Sequence, residues 1–442
     1  MVPRRSLSVV APESSDANLE EWCEVLAADW KSVPRSHEWF EGTPARVAQI
    51  ARQLGISKPA PHVFVIAGTN GKGSTCMAIA EIATVLGLSV GVLTSPHLHQ
   101  FNERIMINGE PASDADIVVA FEHIRASASV IGLTTASPSQ FDYFTLAAAW
   151  LFHRERVDVA VMEVGLGGRL DPVNGFEPSV SIITRVALDH AQWLGSDREA
   201  IGREKAGIQR PGVPCIVGEP LPPMSVVDYA RTLGTPLAIR GQDFDDHCIG
   251  LGQDGYPLML AMSSLEPGGL PRDSLVTAAR AWWSRGLSLS QETLDKVSST
   301  VGMAGRCQLI RSHERDIFLD IAHNPDAVTF LGEEVRRWTL EMESTRVLGL
   351  FAAQLDKDVD RMLIAAKPWV DKIFICTAGE TCHSTAFMAG LPVCQGGWVE
   401  GRYDKVSTAS GALMALSQPN DLIVVFGSVS LVAQILNELV PD

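Results

Sequence analysis

At 442 residues the chain exceeds what one hydrophobic core usually organises, so two domains are expected. Its 46% hydrophobic and 20% charged residues are those of a soluble globular protein, and a formal net charge of −16 argues against non-specific binding to nucleic acid or to an anionic membrane surface. The eight cysteines (Cys23, Cys76, Cys215, Cys248, Cys307, Cys376, Cys382, Cys394) include no C-x-x-C pair, which argues against a zinc site or disulfide framework and for the reduced thiols of a cytoplasmic protein.

The first residues carry Arg4 and Arg5 but no sustained apolar segment, so neither a signal peptide nor a membrane anchor is expected. Residues 1–17 read as a disordered lead-in ending at a helix cap near Asn18. Helical patterns follow at about Leu19–Trp30 and Pro44–Leu54. Then come apolar, β-branched runs at Val63–Ala67, LSVGVLTS, VDVAVMEVG and PSVSIITRV, with helices such as Ile117–Val130 and Tyr143–Arg154 between them. Continuous apolar strands alternating with helices indicate a parallel sheet covered on both faces, with functional residues at the strands' C-terminal ends. A Gly/Pro/Asp-rich section, Gly241–Pro271, suggests a hairpin and loops, and helices follow near Ser274–Arg285 and Gln291–Val301. The alternation restarts after GMAGRCQ, with strands at DIFLDIA, RVLGLFA, KIFICT and DLIVVFG. The expected division is a first α/β domain over residues 18–301, a linker at 302–305 and a second α/β domain over 306–442.

The stretch VFVIAGTNGKGS, Val63–Ser74, is strand, glycine loop and helix start, in which backbone N–H groups and a helix N-terminus wrap a polyphosphate. Gly68, Thr69, Asn70, Gly71, Lys72, Gly73 and Ser74 are the candidate ATP-binding residues. Lys72 would meet the β/γ-phosphates and Ser74 would offer a hydroxyl to Mg²⁺. The match to the standard P-loop is not literal, because Gly73 is inserted between the lysine and the hydroxyl residue.

Other ionisable residues stand at strand ends. Ser95, before Pro96, is either a metal-facing hydroxyl or a turn residue. Glu163 opens EVGLGGRLD after an apolar strand and is either a Mg²⁺ ligand or a salt-bridged strand end. His190 in LDH is either a ligand or structural, and Lys205 in isolation would be a solvated charge. In the second domain Asp320, His323 and Asn324 in DIAHNP could grip a charged substrate at a helix N-terminus; equally, Asn324 could simply cap that helix. Arg306 at the domain junction could reach a phosphate.

Taken together, AGTNGKGS, TSPHLHQFNERIMING, SQFDYFT, VMEVGLGGRLDPVN, TRVALDHAQWLG, REKAGI, AGRCQ, LDIAHNP, LDKD and FGSVS resemble the folylpolyglutamate synthase/dihydrofolate synthase family of the Mur-ligase superfamily. The resemblance implies an α/β fold with an N-terminal P-loop ATPase domain of Mur-ligase type, built on a mostly parallel sheet, plus a smaller C-terminal Rossmann-like ligase domain. It implies an ATP-dependent ligase in which ATP phosphorylates a carboxylate and the amino group of glutamate attacks the acyl phosphate. Positions carried over are Gly71, Lys72 and Ser74 for triphosphate and the first Mg²⁺, and Ser95, Glu163 and His190 for the second metal. Lys205 matches the family's carbamylated lysine, Arg306 and Asp320 its second-domain ATP contacts, and Phe141, Asp171, His323 and Asn324 its substrate contacts. A small-molecule acid and glutamate are the implied partners of what is expected to be a monomer. The segment before the P-loop, WFEGTPARV, departs from the family pattern, and Ser274 and Thr277 stand where Gln and Asn are expected. The competing readings are the same ligase chemistry on a non-folate acid or another amine, and a nucleotide-binding regulator without turnover.

Overall fold

The computed structural model describes residues 17–32, 40–133, 138–251, 256–259, 269–287, 289–312, 314–341 and 346–440. Apart from Ala17, the expected lead-in lies outside them. The expected cap is formed by Asn18, whose Oδ1 accepts the Glu21 N–H at 3.0 Å while Glu21 Oε2 accepts the Asn18 N–H at 3.0 Å. This reciprocal pair starts the helix Leu19–Ser32.

The described residues divide into two compact units. One holds those within Met1–Val186, Ser196–Ala261 and Asp273–Val297, the other those within Ala187–Gly195, Met262–Arg272 and Ser298–Asp442. The segment Ala187–Gly195 thus packs with the second unit, although it lies deep inside the stretch expected for the first.

In the first unit the apolar runs become β1 (His62–Ala67), β2 (Val90–Leu93), β5 (Val159–Glu163) and β6 (Val180–Ile183), all buried except His62. Between β2 and β5 in sequence lie β3 (Ile105–Ile107) and β4 (Glu110–Pro111), and β7 (Cys215–Val217) and β8 (Leu237–Ile239) follow β6. The sheet order is β4-β3-β2-β5-β1-β6-β7-β8, parallel except for β3 and β4. Burial on both faces is what continuous Val/Ile/Ala runs require, and β1 takes an interior place. The antiparallel edge was not expected. Ile107 pairs with Glu110 across Asn108-Gly109, whose φ values of 52° and 88° fit a two-residue primed turn. The section Gly241–Pro271 yields a small hairpin, β9 (Gly250–Leu251) with β10 (Pro257–Leu258); much of the rest falls outside the described residues.

The second unit's sheet runs β11-β12-β16-β13-β14-β15, with β11 (Gln308–Ser312), β12 (Arg315–Asp320), β13 (Arg346–Phe351), β14 (Lys372–Cys376), β15 (Val399–Tyr403) and β16 (Asp421–Phe426). All pairings are parallel except β11 with β12. One face packs Phe318, Phe351, Ile375 and Phe426 against Val328, Leu331 and Val335 of the helix Pro325–Glu341 and Met362 of the helix Val359–Ala366. β11 and β15 escaped the sequence reading because both are half-exposed edge strands without a continuous apolar run.

Candidate active site

The loop after β1 is shaped by its neighbours. A Cβ on Gly68 would lie 1.8 Å from Thr184 Oγ1, so only glycine admits that hydroxyl. Thr184, one residue past β6, donates to the carbonyl of Asn70 at 2.7 Å, and the Thr69 N–H donates to Arg185 O at 2.6 Å. Gly71 takes a left-handed φ of 84° and leads into the helix Lys72–Val85, whose first turn buries Gly73 and Ser74. Backbone donors and the positive end of a fourteen-residue helix therefore converge where a phosphate chain would sit.

Glu163 ends β5, and in the parallel register it stands beside Ile66 of β1. Its Oε2 accepts the Thr94 hydroxyl and, at 3.1 Å, the Ser95 N–H. Its Oε1 lies 3.8 Å from Lys72 Nζ. The structure thus joins Lys72, Ser95 and Glu163 at one point, with Ser74 on the adjoining helix turn. Lys205, far from being a solvated charge, is 2% exposed on the helix Arg198–Ala206 and donates to the carbonyl oxygen of Gly68 at 2.8 Å. Thr94 and Thr184 were missed because nothing in their local sequence marks them; strand order alone brings them to the loop.

The donors at this point are hard oxygens, the Ser74 hydroxyl and the Glu163 carboxylate. Among the described residues no group of three or more His, Cys, Asp or Glu could hold a metal ion. Such a sparse oxygen set suits Mg²⁺, which keeps water and substrate phosphates in its shell instead of an all-protein cage.

The GLGGR turn after Glu163 packs closely on its surroundings. A Cβ on Gly165 would come 2.7 Å from the Phe141 ring, and one on Gly168 would come 2.9 Å from Glu204 O. Phe141 is half-buried near the start of the helix Gln140–Arg154, held there by the reciprocal cap between Ser139 and Asp142. Asp171 is a different case. It is 4% exposed, and its two oxygens accept the N–H groups of Leu166 and Val173, each at 3.0 Å. Burial pushes its carboxyl up to about 7, against the opposing pull of those backbone donors. This candidate substrate contact also holds the turn.

In the second unit the expected residues gather around Asp189, which the sequence reading passed over for its neighbour. Asp189 Oδ1 accepts from Lys357 Nζ at 2.9 Å, and Oδ2 accepts from Asn324 Nδ2 at 3.2 Å and faces His323 Nε2 at 3.2 Å. His190 Nε2 stands 3.9 Å from the same oxygen. Burial works to raise the Asp189 carboxyl, but the His323 hydrogen bond and the charges of His323, Lys357 and His190 outweigh it and hold it well below the usual carboxylate range. Burial lowers both imidazoles, for His190 against the pull of Asp189 and for His323 against their mutual hydrogen bond. Asn324 also fills the capping role, its Oδ1 accepting the Ala327 N–H at 2.9 Å at the start of the helix Pro325–Glu341. Asp320 clamps backbone, accepting from Cys307 N and Ala322 N at 2.8 Å each. It thereby fixes the turn carrying half-buried Arg306, whose charge is among those depressing the His323 imidazole.

Residues 305–429 match the Mur ligase, glutamate ligase domain family. The chain is 36% identical over 401 residues to the dihydrofolate synthase/folylpolyglutamate synthase of Escherichia coli (strain K12), covering 88% of this chain and 90% of that protein. A structure of E. coli FolC in complex with DHPP and ADP is 32% identical and superposes with a TM-score of 0.84, covering 97% of this chain and 99% of the other. A structure of a bifunctional folylpolyglutamate synthase/dihydrofolate synthase with Mn, AMPPNP and L-glutamate bound is 32% identical, with a TM-score of 0.82 and coverage of 97% and 100%. With this likeness spanning nearly the whole of each chain, the protein belongs to the dihydrofolate synthase/folylpolyglutamate synthase family of ATP-dependent ligases.

Proposed function

We propose that the chain joins L-glutamate to dihydropteroate, to a folyl (poly)glutamate, or to both, through an acyl phosphate. The observation that carries this reading is the meeting of Lys72, Glu163 and Lys205 around the Gly68–Ser74 loop. A carboxylate is a poor electrophile, and phosphorylation gives it a leaving group. The loop N–H groups and Lys72 hold the triphosphate and stabilise the charge that builds on the transferring phosphoryl group. Ser74, Ser95 and Glu163 are the proposed Mg²⁺ residues, and for His190 the metal role rests on the family resemblance. Bound Mg²⁺ would neutralise phosphate charge and orient the γ-phosphoryl group. Phe141 offers an aromatic face to the acid, while Asp171 acts through the turn it holds.

Carbamylation of Lys205 is part of the proposal. The ammonium would first lose one proton, and the neutral amine would then add CO₂ and release a second, turning the group beside Gly68 from a cation into an anion. Arg306 and Asp320 are assigned to the nucleotide, Asp320 through its backbone clamp, and His323 and Asn324 to glutamate. A monomer working in the cytoplasm is proposed, with eight unpaired cysteines suited to a reducing compartment. No helix among the described residues is long and apolar enough to cross a membrane.

The test is ADP release measured with dihydropteroate, tetrahydrofolate and unrelated acids, each with glutamate or another amine. Turnover that needs both a pteroate-type acid and glutamate is expected. Release with neither present would mark a simple ATPase, and preference for an unrelated acid would transfer the same chemistry to another substrate.

A further inference from the structure

We propose that Asp189 is the positioning residue for the cationic and amide groups that receive the incoming amino acid; this rests on the ligase reading above. Three chain segments meet on its carboxylate. Lys357 comes from the loop after β13, His323 and Asn324 from the loop after β12, and Asp189 itself from Ala187–Gly195, all within the second unit. The Lys357 side chain is only 4% exposed. An ammonium so buried needs a close anion, and of the two carboxylates near it Asp189 is the nearer and the better shielded. Asp189 lies at 2.9 Å and is 9% exposed, whereas Asp356 lies at 3.4 Å and is 45% exposed.

The same carboxylate fixes the direction of neighbouring groups. It orients the His323 ring through Nε2 and takes one Asn324 N–H, while the Asn324 oxygen is tied to the helix cap at Ala327. The Lys357 loop is braced separately. Leu355 N–H donates to Thr381 O at 2.9 Å and His383 N–H donates to Ala353 O at 2.8 Å, so the backbone is set before the side chain is aimed. Asp189 therefore fixes where the Lys357 charge and the His323 imidazole stand when an amino acid's carboxylate must be accommodated. Its action passes through those two side chains. A catalytic cation displaced by about 1 Å can cost on the order of 10²-fold in rate.

The experiment is steady-state ADP release at saturating ATP and pteroate-type acid with L-glutamate varied, on wild type, Asp189→Asn, Lys357→Gln and the double variant. Asp189→Asn is expected to lower kcat/KM for glutamate by about 10²-fold while KM for ATP stays within about twofold. Because part of its action passes through Lys357, the double variant is expected to lose less than the product of the two single losses. Thermal melts of each variant separate loss of fold from loss of position. Glutamate kinetics unchanged in a folded Asp189→Asn, or costs that multiply in the double variant, would overturn the proposal. A wild type that needs no glutamate would instead overturn the ligase reading, and the proposal with it; that failure shows without any substitution.

Discussion

The Nζ of Lys205 donates to the carbonyl oxygen of Gly68 across 137 residues of sequence, with a distance of 2.8 Å. This contact ties the helix Arg198–Ala206 to the first residue of the phosphate loop. It also puts a buried amine where addition of CO₂ would generate an anion. Lys205→Gln keeps a donor of similar reach but cannot carry a carbamate. Turnover is expected to drop by about 10²-fold or more, as for loss of an oriented charge next to a reacting phosphoryl group. With ¹³C-bicarbonate, wild type should give a carbamate carbon resonance that Lys205→Gln lacks. A wild type without that resonance eliminates the carbamate and leaves only the hydrogen bond.

The phosphate loop makes its own prediction through Gly68. An alanine there would drive its methyl group to 1.8 Å from Thr184 Oγ1, far inside contact distance. Either the loop or the end of β6 must move, and in both cases the N–H groups lose their aim. Gly68→Ala is expected to weaken binding of a non-hydrolysable ATP analogue by at least about tenfold, or 1.4 kcal/mol, in a calorimetric titration. Thr184→Ala removes the colliding hydroxyl and should restore part of that affinity when combined with Gly68→Ala. A double variant as weak as Gly68→Ala would show that the collision is not the cause.

Asp171 predicts a pH dependence of stability. Its carboxyl is near 3.9 in an unfolded chain and about 7 when buried. Between those values the folded state binds more protons than the unfolded state, so this residue's contribution to stability is highest below about pH 4 and declines as pH rises towards 7. Asp171→Asn cannot ionise, and the constant cost of presenting an amide N–H₂ to backbone donors cancels when one variant is followed across pH. Urea denaturation at pH 4, 5.5 and 7.5 should therefore show Asp171→Asn gaining on wild type as pH rises, by about 2–4 kcal/mol in total. A flat difference would mean that Asp171 ionises normally.

The sequence revealed what is local and periodic. The apolar runs of β1, β5 and β6 read as buried strands because both of their faces are covered, and the glycine loop read as a phosphate cradle because strand, turn and helix start are contiguous. Asn108-Gly109 had the chemistry of a primed turn, yet a strand of three residues, Ile105–Ile107, was too short to register as a period. Asp189 was illegible for a different reason. Its partners lie 135 and 168 residues away, so only the folded second unit makes a hub of it. Asp171 is legible in part, since its motif position marks it while only the fold shows both oxygens accepting backbone N–H groups.

The last prediction concerns Phe141, assigned to the acid on the strength of its motif and its half-buried ring. Gly165 gives that ring its seat, since a Cβ at this position would stand 2.7, 2.9 and 3.1 Å from three ring carbons. Those carbons belong to a rigid ring on a capped helix, so the ring must tilt or the GLGGR turn must shift. The phosphate loop is held separately, by Thr184 and Lys205, and should keep its shape. Gly165→Ala is therefore expected to raise KM for the acid by about tenfold while ATP-analogue affinity stays within about twofold. Phe141→Leu, which trims the ring and relieves the collision, should soften that effect in the double variant while itself weakening the acid. Equal losses for acid and nucleotide would place the damage in the shared β5 turn and remove Phe141 from the acid site.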